Sequence, residues 1–243
     1  SAIISFLLLL LAPACLILDL HQPLRFWHTL VPEYFNRTSA LSYGSWLLTL
    51  YPIANLIYIY FIFVKNDKVT KILGTMTVPL AIFVHAYTGF AFALVRARAW
   101  WHSALMPGFF LTSALLSGIA LLVVVAMIMN RFLKEKLDPD LFKSLRVMMI
   151  GILLTDLFWT GCFWLTLLVS NADGYASIMV ALHEKLYLWG EIVAGMLIPL
   201  VILLAPRTRY DRNWLVLASL LIIGGVFLMR YSVVFIGFEI PLS

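Results

Sequence analysis

Seven long runs of apolar residues, separated by short charged segments, constrain this sequence more than any other feature. A helix that crosses a bilayer needs about 20 mostly apolar residues. The runs are too long for barrel strands and lack the period-two alternation of such strands. The sequence therefore predicts an all-α fold, a polytopic transmembrane helical bundle with spans near residues 2–18, 41–64, 72–95, 104–129, 147–170, 177–205 and 214–238.

Composition excludes the other broad classes of protein. Charged residues make up 12% of the 243 residues, whereas a soluble domain carries about 25%. The mean hydropathy of +0.99 excludes a soluble or disordered chain. No internal repeat or polar domain interrupts the pattern, so we expect a single transmembrane domain over residues 1–243 in a lipid membrane.

Lys and Arg residues divide unequally between alternate loops. Eleven belong to one set of loops: Lys65, Lys68, Lys71, Arg131, Lys134, Lys136, Lys143, Arg146, Arg207, Arg209 and Arg212. Only five belong to the other set: Arg25, Arg37, Arg96, Arg98 and Lys185. Because short loops rich in Lys and Arg stay in the cytoplasm, we expect the first set to be cytoplasmic. The net charge of +5 then reflects membrane orientation, and we expect no binding of nucleic acid.

Aromatic and basic side chains concentrate in the loops that are predicted to face outward. They are His21, Arg25, Trp27, His28, Arg98, Trp100, Trp101 and His102. An interfacial belt of aromatic residues accounts for the tryptophans, but it explains clustered His and Arg residues less well. We therefore expect a functional site near the outer face.

Ionisable residues inside the spans mark further candidate positions, because an unpaired charge at membrane depth costs several kcal/mol. His85 lies near the middle of the third span, and Gly89 leaves room beside it on the same helix face. The imidazole could donate a hydrogen bond to a quinone carbonyl, or it could be a neutral histidine bonded between helices. Asp156 lies deep in the fifth span and is either a proton carrier or a carboxylate paired with an arginine such as Arg230.

The last two spans hold more polar residues. Glu184, Tyr187 and Glu191 are spaced i, i+3 and i+7, which predicts one shared face of an α-helix. A polar file of this kind, running inward from the outer side, is what a proton path requires. Glu184 could equally form an interfacial pair with a neighbouring basic residue. Arg230 remains charged and needs a carboxylate or water, so Asp156 and Glu191 are its candidate partners.

Other classes of seven-helix protein fit the sequence less well. A rhodopsin needs a lysine in the middle of its last helix, where this chain has only Arg230. A cytochrome b needs pairs of deep histidines as haem ligands, and only His85 and His183 qualify. A secondary transporter or another ion-conducting membrane protein stays an alternative, although the inverted repeats of transporters are not visible.

A quinone-reactive subunit fits the residues best. Cys15 and Cys162 lie in separate apolar runs, so we expect no metal site and no iron–sulfur cluster in this chain. A quinone needs an aromatic slot, hydrogen-bond donors and a proton route, and the sequence offers all three near the predicted outer face. Electrons would then pass to or from a partner protein, and the chain alone would not be a complete enzyme.

Four segments resemble a known family. Residues 18–28, Leu-Asp-Leu-His-Gln-Pro-Leu-Arg-Phe-Trp-His, resemble the Leu-Asp-Leu-Gly-Arg-Pro-x-Arg-Phe signature of the NrfD-like membrane subunits related to polysulfide reductase. Residues 38–46, 87–90 and 113–118 resemble further segments of that family in the same order. In this chain His21 and Gln22 replace the usual Gly-Arg pair, which removes one basic group.

The resemblance implies a haem-free protein of a prokaryotic cytoplasmic (inner) membrane, with eight or more helices and a menaquinone or ubiquinone site near the outer face. It also implies a ferredoxin-like iron–sulfur subunit that docks on that face, and further redox subunits. The signature ends the second helix in the family and the first span in this chain. We therefore expect one leading helix to precede this sequence.

The resemblance also implies roles for individual residues. The quinone contacts that it implies are Asp19, His21, Arg25, His85 and Tyr87, and we add Glu184 to this set. Residues expected to transfer protons or balance charge are His85, Asp156, Glu191 and Arg230. Whether such a protein pumps protons or only exchanges them with quinone is left open by the sequence.

Overall fold

The computed structural model of the chain describes residues 2–19, 22–132, 138–208 and 211–239. The regular elements of these residues are helices, and no strand occurs among them. The longer helices are α1 (Ala2–Asp19), α2 (Ala40–Phe63), α3 (Asp67–Ala93), α4 (Met106–Phe132), α5 (Pro139–Leu168), α6 (Ala172–His183), a π-helical segment π1 (Leu186–Leu197), α7 (Ile198–Leu204) and α8 (Arg212–Glu239). Two 3₁₀-helices, Pro23–Leu30 and Pro32–Tyr34, lie between α1 and α2. The expected all-α transmembrane bundle is confirmed.

Six helical stretches of the described residues are long and apolar enough to cross a membrane, one fewer than the sequence predicted. They lie in α2, α3, α4, α5, the combined π1 and α7, and α8. The first predicted span forms α1, of which the stretch Ala2–Cys15 is apolar but shorter than the others. At 1.5 Å per residue that stretch is about 20 Å long, against about 30 Å of hydrocarbon.

Two compact units make up the chain, Ser1–Ala91 and Phe92–Ser243. In the first unit α1 packs on α2, where the buried Asn55 amide donates a hydrogen bond of 3.3 Å to Ser5 Oγ. The ring of Tyr87 on α3 lies directly over Gly44 of α2, so that a β-carbon at Gly44 would overlap the ring. The expectation of a single transmembrane domain stays a prediction.

The second unit is a bundle in which α4, α5, the combined π1 and α7, and α8 surround a common apolar core. Its most deeply buried side chains include Leu116, Met149, Leu153 and Ile222, from α4, α5 and α8. The short helix α6 packs against α5, π1 and α8. Burial of this apolar surface places the polar residues of the same helices at fixed positions inside the bundle.

The predicted sixth span, residues 177–205, is interrupted. Helix α6 ends at His183, and Glu184 follows with an extended backbone at φ −73° and ψ 113°. The chain then forms the twelve-residue π1. Because Glu184 lies outside that segment, the α-helical face predicted to join Glu184, Tyr187 and Glu191 does not form. π-Helices are rare, usually a single turn long and frequently found at functional sites, so the side chains of π1 are candidates for function.

Gly195 of π1 and Gly225 of α8 let these two helices approach closely. A β-carbon built on either glycine would overlap the backbone of the other. The adjacent Gly224 is exposed, and a β-carbon there would meet no atom within 4 Å. The two neighbouring glycines of α8 therefore form a matched pair, one needed for packing and one not.

Gly225→Ala is expected to destabilise the protein by about 1–3 kcal/mol, because overpacking a helix contact forces the backbones apart. Gly224→Ala should be neutral or slightly stabilising, because alanine is the better helix former. The melting temperatures of the two variants in detergent test this difference. Equal melting temperatures would show that the Gly195–Gly225 contact does not set the packing of π1 on α8.

Candidate functional site

Three ionisable side chains lie inside the bundle of the second unit: Asp156 on α5, Glu191 on π1 and Arg230 on α8. Asp156 is 1% exposed, Glu191 is 5% exposed, and Arg230 is half-buried. Asp156 interacts electrostatically with both Arg230 and Glu191. The structure thus brings these three members of the predicted proton-transfer set together, and we call them the ionisable cluster.

Asp156 is held by hydroxyl groups. Thr112 Oγ1 on α4 donates a hydrogen bond of 2.6 Å to Asp156 Oδ1, which ties α4 to α5 across the bundle. Within α5, Thr160 Oγ1 donates to the main-chain oxygen of Asp156 at 2.9 Å. A buried carboxylate requires donors of this kind because burial removes it from water.

Arg230 is anchored to α4. Its Nη2 donates to Phe110 O at 3.2 Å and to Ser113 Oγ at 3.1 Å. The guanidinium carbon lies 3.9 Å from the centroid of the Phe110 ring, in a cation–π contact. The hydrogen bonds of Arg230 therefore go to α4, and its attraction to Asp156 acts through space. The sequence left open a direct pair between Asp156 and Arg230, but Arg230 is held in place by its bonds to α4.

Glu191 lies beside Ser232 of α8, and the two side chains interact. The hydroxyl of Ser232 is the side-chain hydrogen-bond partner of the Glu191 carboxylate, and neither Glu191 Oε2 nor Ser232 Oγ makes a second hydrogen bond within the described residues. Ser232 is 2% exposed. This contact ties π1 to α8 inside the bundle.

Aromatic side chains surround Tyr187, which precedes Glu191 by four residues in π1. Trp164 Nε1 on α5 donates a hydrogen bond of 2.6 Å to the hydroxyl of Tyr187. The ring of Trp100 meets the Tyr187 ring edge-to-face, with 5.7 Å between centroids, and contacts Phe163 in the same manner at 5.1 Å. These rings close the end of the bundle nearest to the α3–α4 connection.

Arg98 and Trp101, two residues of the predicted outer cluster that lie in the second unit, have a structural role. Trp101 Nε1 donates to Val233 O at 2.6 Å, and Arg98 donates to Gly237 O. The Arg98 guanidinium also lies 5.2 Å from the centroid of the Phe238 ring. The last four carbonyls of a helix lack partners within it, so Arg98 caps the end of α8 at Gly237, and Trp101 binds the same helix one turn earlier. Trp101 is buried, as is Trp100.

The predicted quinone contacts occupy several places. His21 lies outside the described residues, and Asp19 is the last residue of α1. Arg25 is exposed in a 3₁₀-helix, Pro23–Leu30. On α3 of the same unit, His85 and Tyr87 are half-buried, and His85 Nδ1 is 2.7 Å from Ala81 O. Glu184 belongs to the second unit, at the break after α6.

An open pocket in the first unit was not predicted. Its volume is about 680 Å³, and its lining combines aromatic rings with one guanidinium: Pro32, Phe35, Arg37, Tyr43, Trp46 and Leu47. The pocket lies where the connection after α1 meets the start of α2. Its size and its mainly apolar lining suit a small aromatic ligand.

Sequence reasoning missed the hydroxyl groups that support the ionisable cluster. Thr112, Ser113 and Ser232 lie in apolar runs, where small hydroxyl residues are common and carry no distinct spacing. The available signal was indirect: Ser113 begins one of the family-like segments, and Ser232 follows Arg230 by two residues. Only packing reveals which of the many hydroxyl groups meet a charge.

Thr112→Val is expected to destabilise the protein by about 1–3 kcal/mol, because it leaves a buried carboxylate oxygen of Asp156 without its donor. Thr155→Val is the control, since Thr155 is exposed and its hydroxyl bonds only to Gly151 O of the same helix. That change should stay within about 0.5 kcal/mol. Thermal unfolding in detergent measures both, and equal losses would remove Thr112 from the support of Asp156.

Fold and site define an integral membrane protein whose helical bundle encloses an ionisable cluster. The family model described as "Polysulphide reductase, NrfD" matches residues 1–241. The chain belongs to the NrfD family, as the resemblance of residues 18–28 implied.

Curated relatives agree with this assignment. The chain is 30% identical over 223 residues to the Hdr-like menaquinol oxidoreductase integral membrane subunit of Archaeoglobus fulgidus, a match that covers 86% of this chain and 54% of that protein. It is 27% identical over 276 residues to a subunit of the selenate reductase of Mesobacillus selenatarsenatis, a match that covers 93% of this chain and 62% of that protein. It is 23% identical over 244 residues to one of the chains of the polysulfide reductase of Wolinella succinogenes, a match that covers 91% of this chain and 76% of that protein. The chain thus spans about half the length of the archaeal relative.

Proposed function

We propose that this chain is the quinone-reactive, haem-free membrane subunit of a respiratory oxidoreductase complex in a prokaryotic cytoplasmic membrane. The observation that carries the proposal is NrfD family membership over residues 1–241. It is supported by relatives whose names specify a menaquinol oxidoreductase, a selenate reductase and a polysulfide reductase. The Lys- and Arg-rich loops would face the cytoplasm, and the quinone site would lie near the outer face.

The residues of the first unit fit a quinone. The reduced form, menaquinol or ubiquinol, would release two electrons and two protons per molecule when it is oxidised to the quinone. The aromatic pocket beside Tyr43 and Trp46 offers rings for stacking, and Arg37 offers a donor to an oxygen at its edge. Asp19, His21, Arg25 and Tyr87 remain the other proposed contacts of this unit, and the proposed contact Glu184 belongs to the second unit.

His85 is suited to accept a proton. Its Nδ1 is hydrogen-bonded to Ala81 O, and a carbonyl oxygen only accepts, so Nδ1 carries the hydrogen. In the neutral ring Nε2 is then an acceptor that faces away from the helix backbone. Such a ring accepts a hydrogen bond from a quinol hydroxyl, whereas the expected donation to a quinone carbonyl requires the protonated ring. The same ring orientation therefore serves both directions, because Nε2 accepts a proton during quinol oxidation and returns one during quinone reduction.

The ionisable cluster is the proposed route for protons through the second unit. Asp156 and Glu191 can each hold a proton, and Arg230 supplies fixed positive charge between helices that carry them. Buried carboxylates of this kind at membrane depth typically mark proton relays.

Electrons require a partner, because we expect this chain to contain no metal centre. We propose that a ferredoxin-like iron–sulfur subunit docks on the outer face and passes electrons to further redox subunits. Purification of the tagged full-length protein from native membranes tests this proposal. We expect a stoichiometric iron–sulfur subunit and bound quinone in the purified complex. Isolation of the chain without a redox partner, together with solute uptake by vesicles that contain it, would instead favour the transporter alternative.

A further inference from the structure

A second open pocket of the first unit lies beside the short connection between α2 and α3. It is lined by Tyr58 of α2 and by residues of α3 between Asp67 and Pro79, and its volume is about 620 Å³. That volume lies in the range of small-molecule pockets. Because Lys71 is the basic side chain of its lining, we call it the lysine pocket. The quinone site and the ionisable cluster proposed above do not use it.

The wall of the lysine pocket is formed where α2 approaches α3. The ring of Tyr58 lies beside Gly74, and a β-carbon at Gly74 would be 3.3 Å from the nearest ring carbon. Nearer the other end of these two helices, the ring of Tyr87 covers Gly44 so closely that a β-carbon there would overlap it. The same kind of contact is thus tight at Gly44 and looser at Gly74, where the groove between the helices stays open.

The lining of the pocket changes from polar to apolar along α3. Asp67, Thr70 and Lys71 lie in its first two turns, whereas Val78 and Pro79 lie two turns further on and are exposed. The distance from Asp67 to Pro79 along the helix is about 18 Å at 1.5 Å per residue. Since α3 is long and apolar enough to cross a membrane, the apolar end of the pocket reaches the hydrocarbon. A phospholipid has the same order of polarity, from its headgroup to its acyl chains.

Charge selects the headgroup. Residues 65–71 contain Lys65, Lys68 and Lys71 and one acidic residue, Asp67, which leaves a net charge of +2. All four side chains are exposed. Lysines beside a membrane helix attract anionic lipids. A divalent cation is disfavoured, because it needs several oxygen ligands and the segment offers one carboxylate among three lysines. A soluble anion would make no use of Val78 and Pro79.

We propose that the lysine pocket binds one anionic phospholipid from the leaflet on the Lys-rich side of the membrane, which is predicted to be cytoplasmic. Its phosphate lies at Lys71 and Thr70, and an acyl chain follows Val78 and Pro79. The lipid fills the groove between α2 and α3 beside Gly74 and so completes the packing of these helices. The proposal is independent of quinone binding and of electron transfer.

Native mass spectrometry of the full-length protein tests the headgroup preference. The protein in detergent is mixed with equal amounts of phosphatidylglycerol and phosphatidylcholine, and we expect it to retain phosphatidylglycerol preferentially. Lys71→Gln should lower that affinity about fivefold, the effect of one lysine at an anionic surface. Lys143→Gln is the control, since Lys143 is exposed on α5 of the second unit. Equal retention of both lipids, or equal losses in both variants, would overturn the proposal. Displacement of phosphatidylglycerol by an equal concentration of glycerol 3-phosphate would show that the acyl chain adds nothing, and would overturn it too.

Photolabelling tests the position of the acyl chain. Phosphatidylglycerol with a diazirine in its acyl chain is added to vesicles that contain the full-length protein. Val78 lines the pocket and is 58% exposed, whereas Met76 is 67% exposed and is not part of the lining. We expect unlabelled phosphatidylglycerol to suppress the label at Val78 more than the same amount of phosphatidylcholine does, and to show no such preference at Met76. Equal suppression at both positions would indicate ordinary bulk lipid and contradict the proposal.

Amine-specific cross-linking of the complex in native membranes supplies the remaining outcome. We expect Lys71 to form no cross-link to a partner subunit, because a lipid headgroup covers it. A Lys71 cross-link to a partner would assign the lysine pocket to a protein and refute lipid binding there. None of these readouts depends on quinone, so a failure here is distinct from a failure of the proposed function.

Discussion

Replacement of His85 with alanine is expected to abolish quinol-dependent electron transfer to the iron–sulfur partner, with a loss of at least about a hundredfold, the typical contribution of a general base. The reason is geometric. The bond from Nδ1 to Ala81 O orients the ring and leaves Nε2 as the proposed acceptor of the quinol proton. The measurement is the rate of cluster reduction by menaquinol in the purified complex.

His183→Ala is the matched control for this prediction. His183 makes the same kind of bond, from Nδ1 to Met179 O at 2.7 Å four residues earlier, but it is exposed. We expect its replacement to leave the rate within about twofold of the wild-type rate, as is usual for surface positions. In both variants the same subunits should co-purify, and dithionite should reduce the cluster normally. An unchanged rate in His85→Ala would remove His85 from the quinone site.

Glu191→Gln is expected to lower quinol-driven proton movement by at least about tenfold, because the amide cannot carry a proton in the relay. The substitution keeps the size of the side chain, and the amide oxygen of glutamine can still accept a hydrogen bond from Ser232. The fold and the melting temperature should therefore change little. The pH change outside proteoliposomes after addition of quinol measures the effect.

Two further variants make the Glu191 result specific. Glu239→Gln removes an exposed carboxylate at the end of α8 and should leave proton movement unchanged. Asp156→Asn should impair proton movement and also lower the melting temperature, because Arg230 then loses the charge of a nearby carboxylate. Normal turnover and a normal pH response in both Asp156→Asn and Glu191→Gln would exclude the ionisable cluster as a proton route.

Much of the fold follows from the sequence, because only helices satisfy the backbone of long apolar runs in lipid. The deep residues Asp156, Glu191 and Arg230 are also recognisable from the sequence, since an ionisable residue in such a run needs a reason to be there. The bundle of the second unit brings these three side chains together, as a shared role requires. Their function in proton transfer stays a prediction.

The break at Glu184 could not be read from the apolar pattern. Residues 177–205 have the composition of one continuous helix, and no proline or glycine pair marks position 184. The π conformation of Leu186–Leu197 has no signal of its own in the sequence, and neither does the fit of Gly195 in π1 against Gly225 of α8. A spacing argument that assumes 3.6 residues per turn fails in such a segment.

Tryptophans near a membrane interface were also ambiguous in the sequence. An aromatic belt and a buried helix end both place Trp beside Arg, and only the contacts distinguish them. Trp101 and Arg98 bind carbonyl groups of α8. Trp100, the preceding residue, instead packs its ring against Phe163 and Tyr187, and its Nε1 has no hydrogen-bond partner within the described residues. Adjacent residues of one type thus have different roles that no pattern of residues separates.

Electron transfer from quinol to an iron–sulfur cluster of the co-purified complex tests the central claim most directly. Menaquinol is added to the anaerobic oxidised complex, and the cluster is followed by electron paramagnetic resonance. The account predicts that the signal of the reduced cluster appears with wild-type protein and is absent with His85→Ala. A cluster that dithionite reduces but menaquinol does not reduce in the wild-type complex would contradict it.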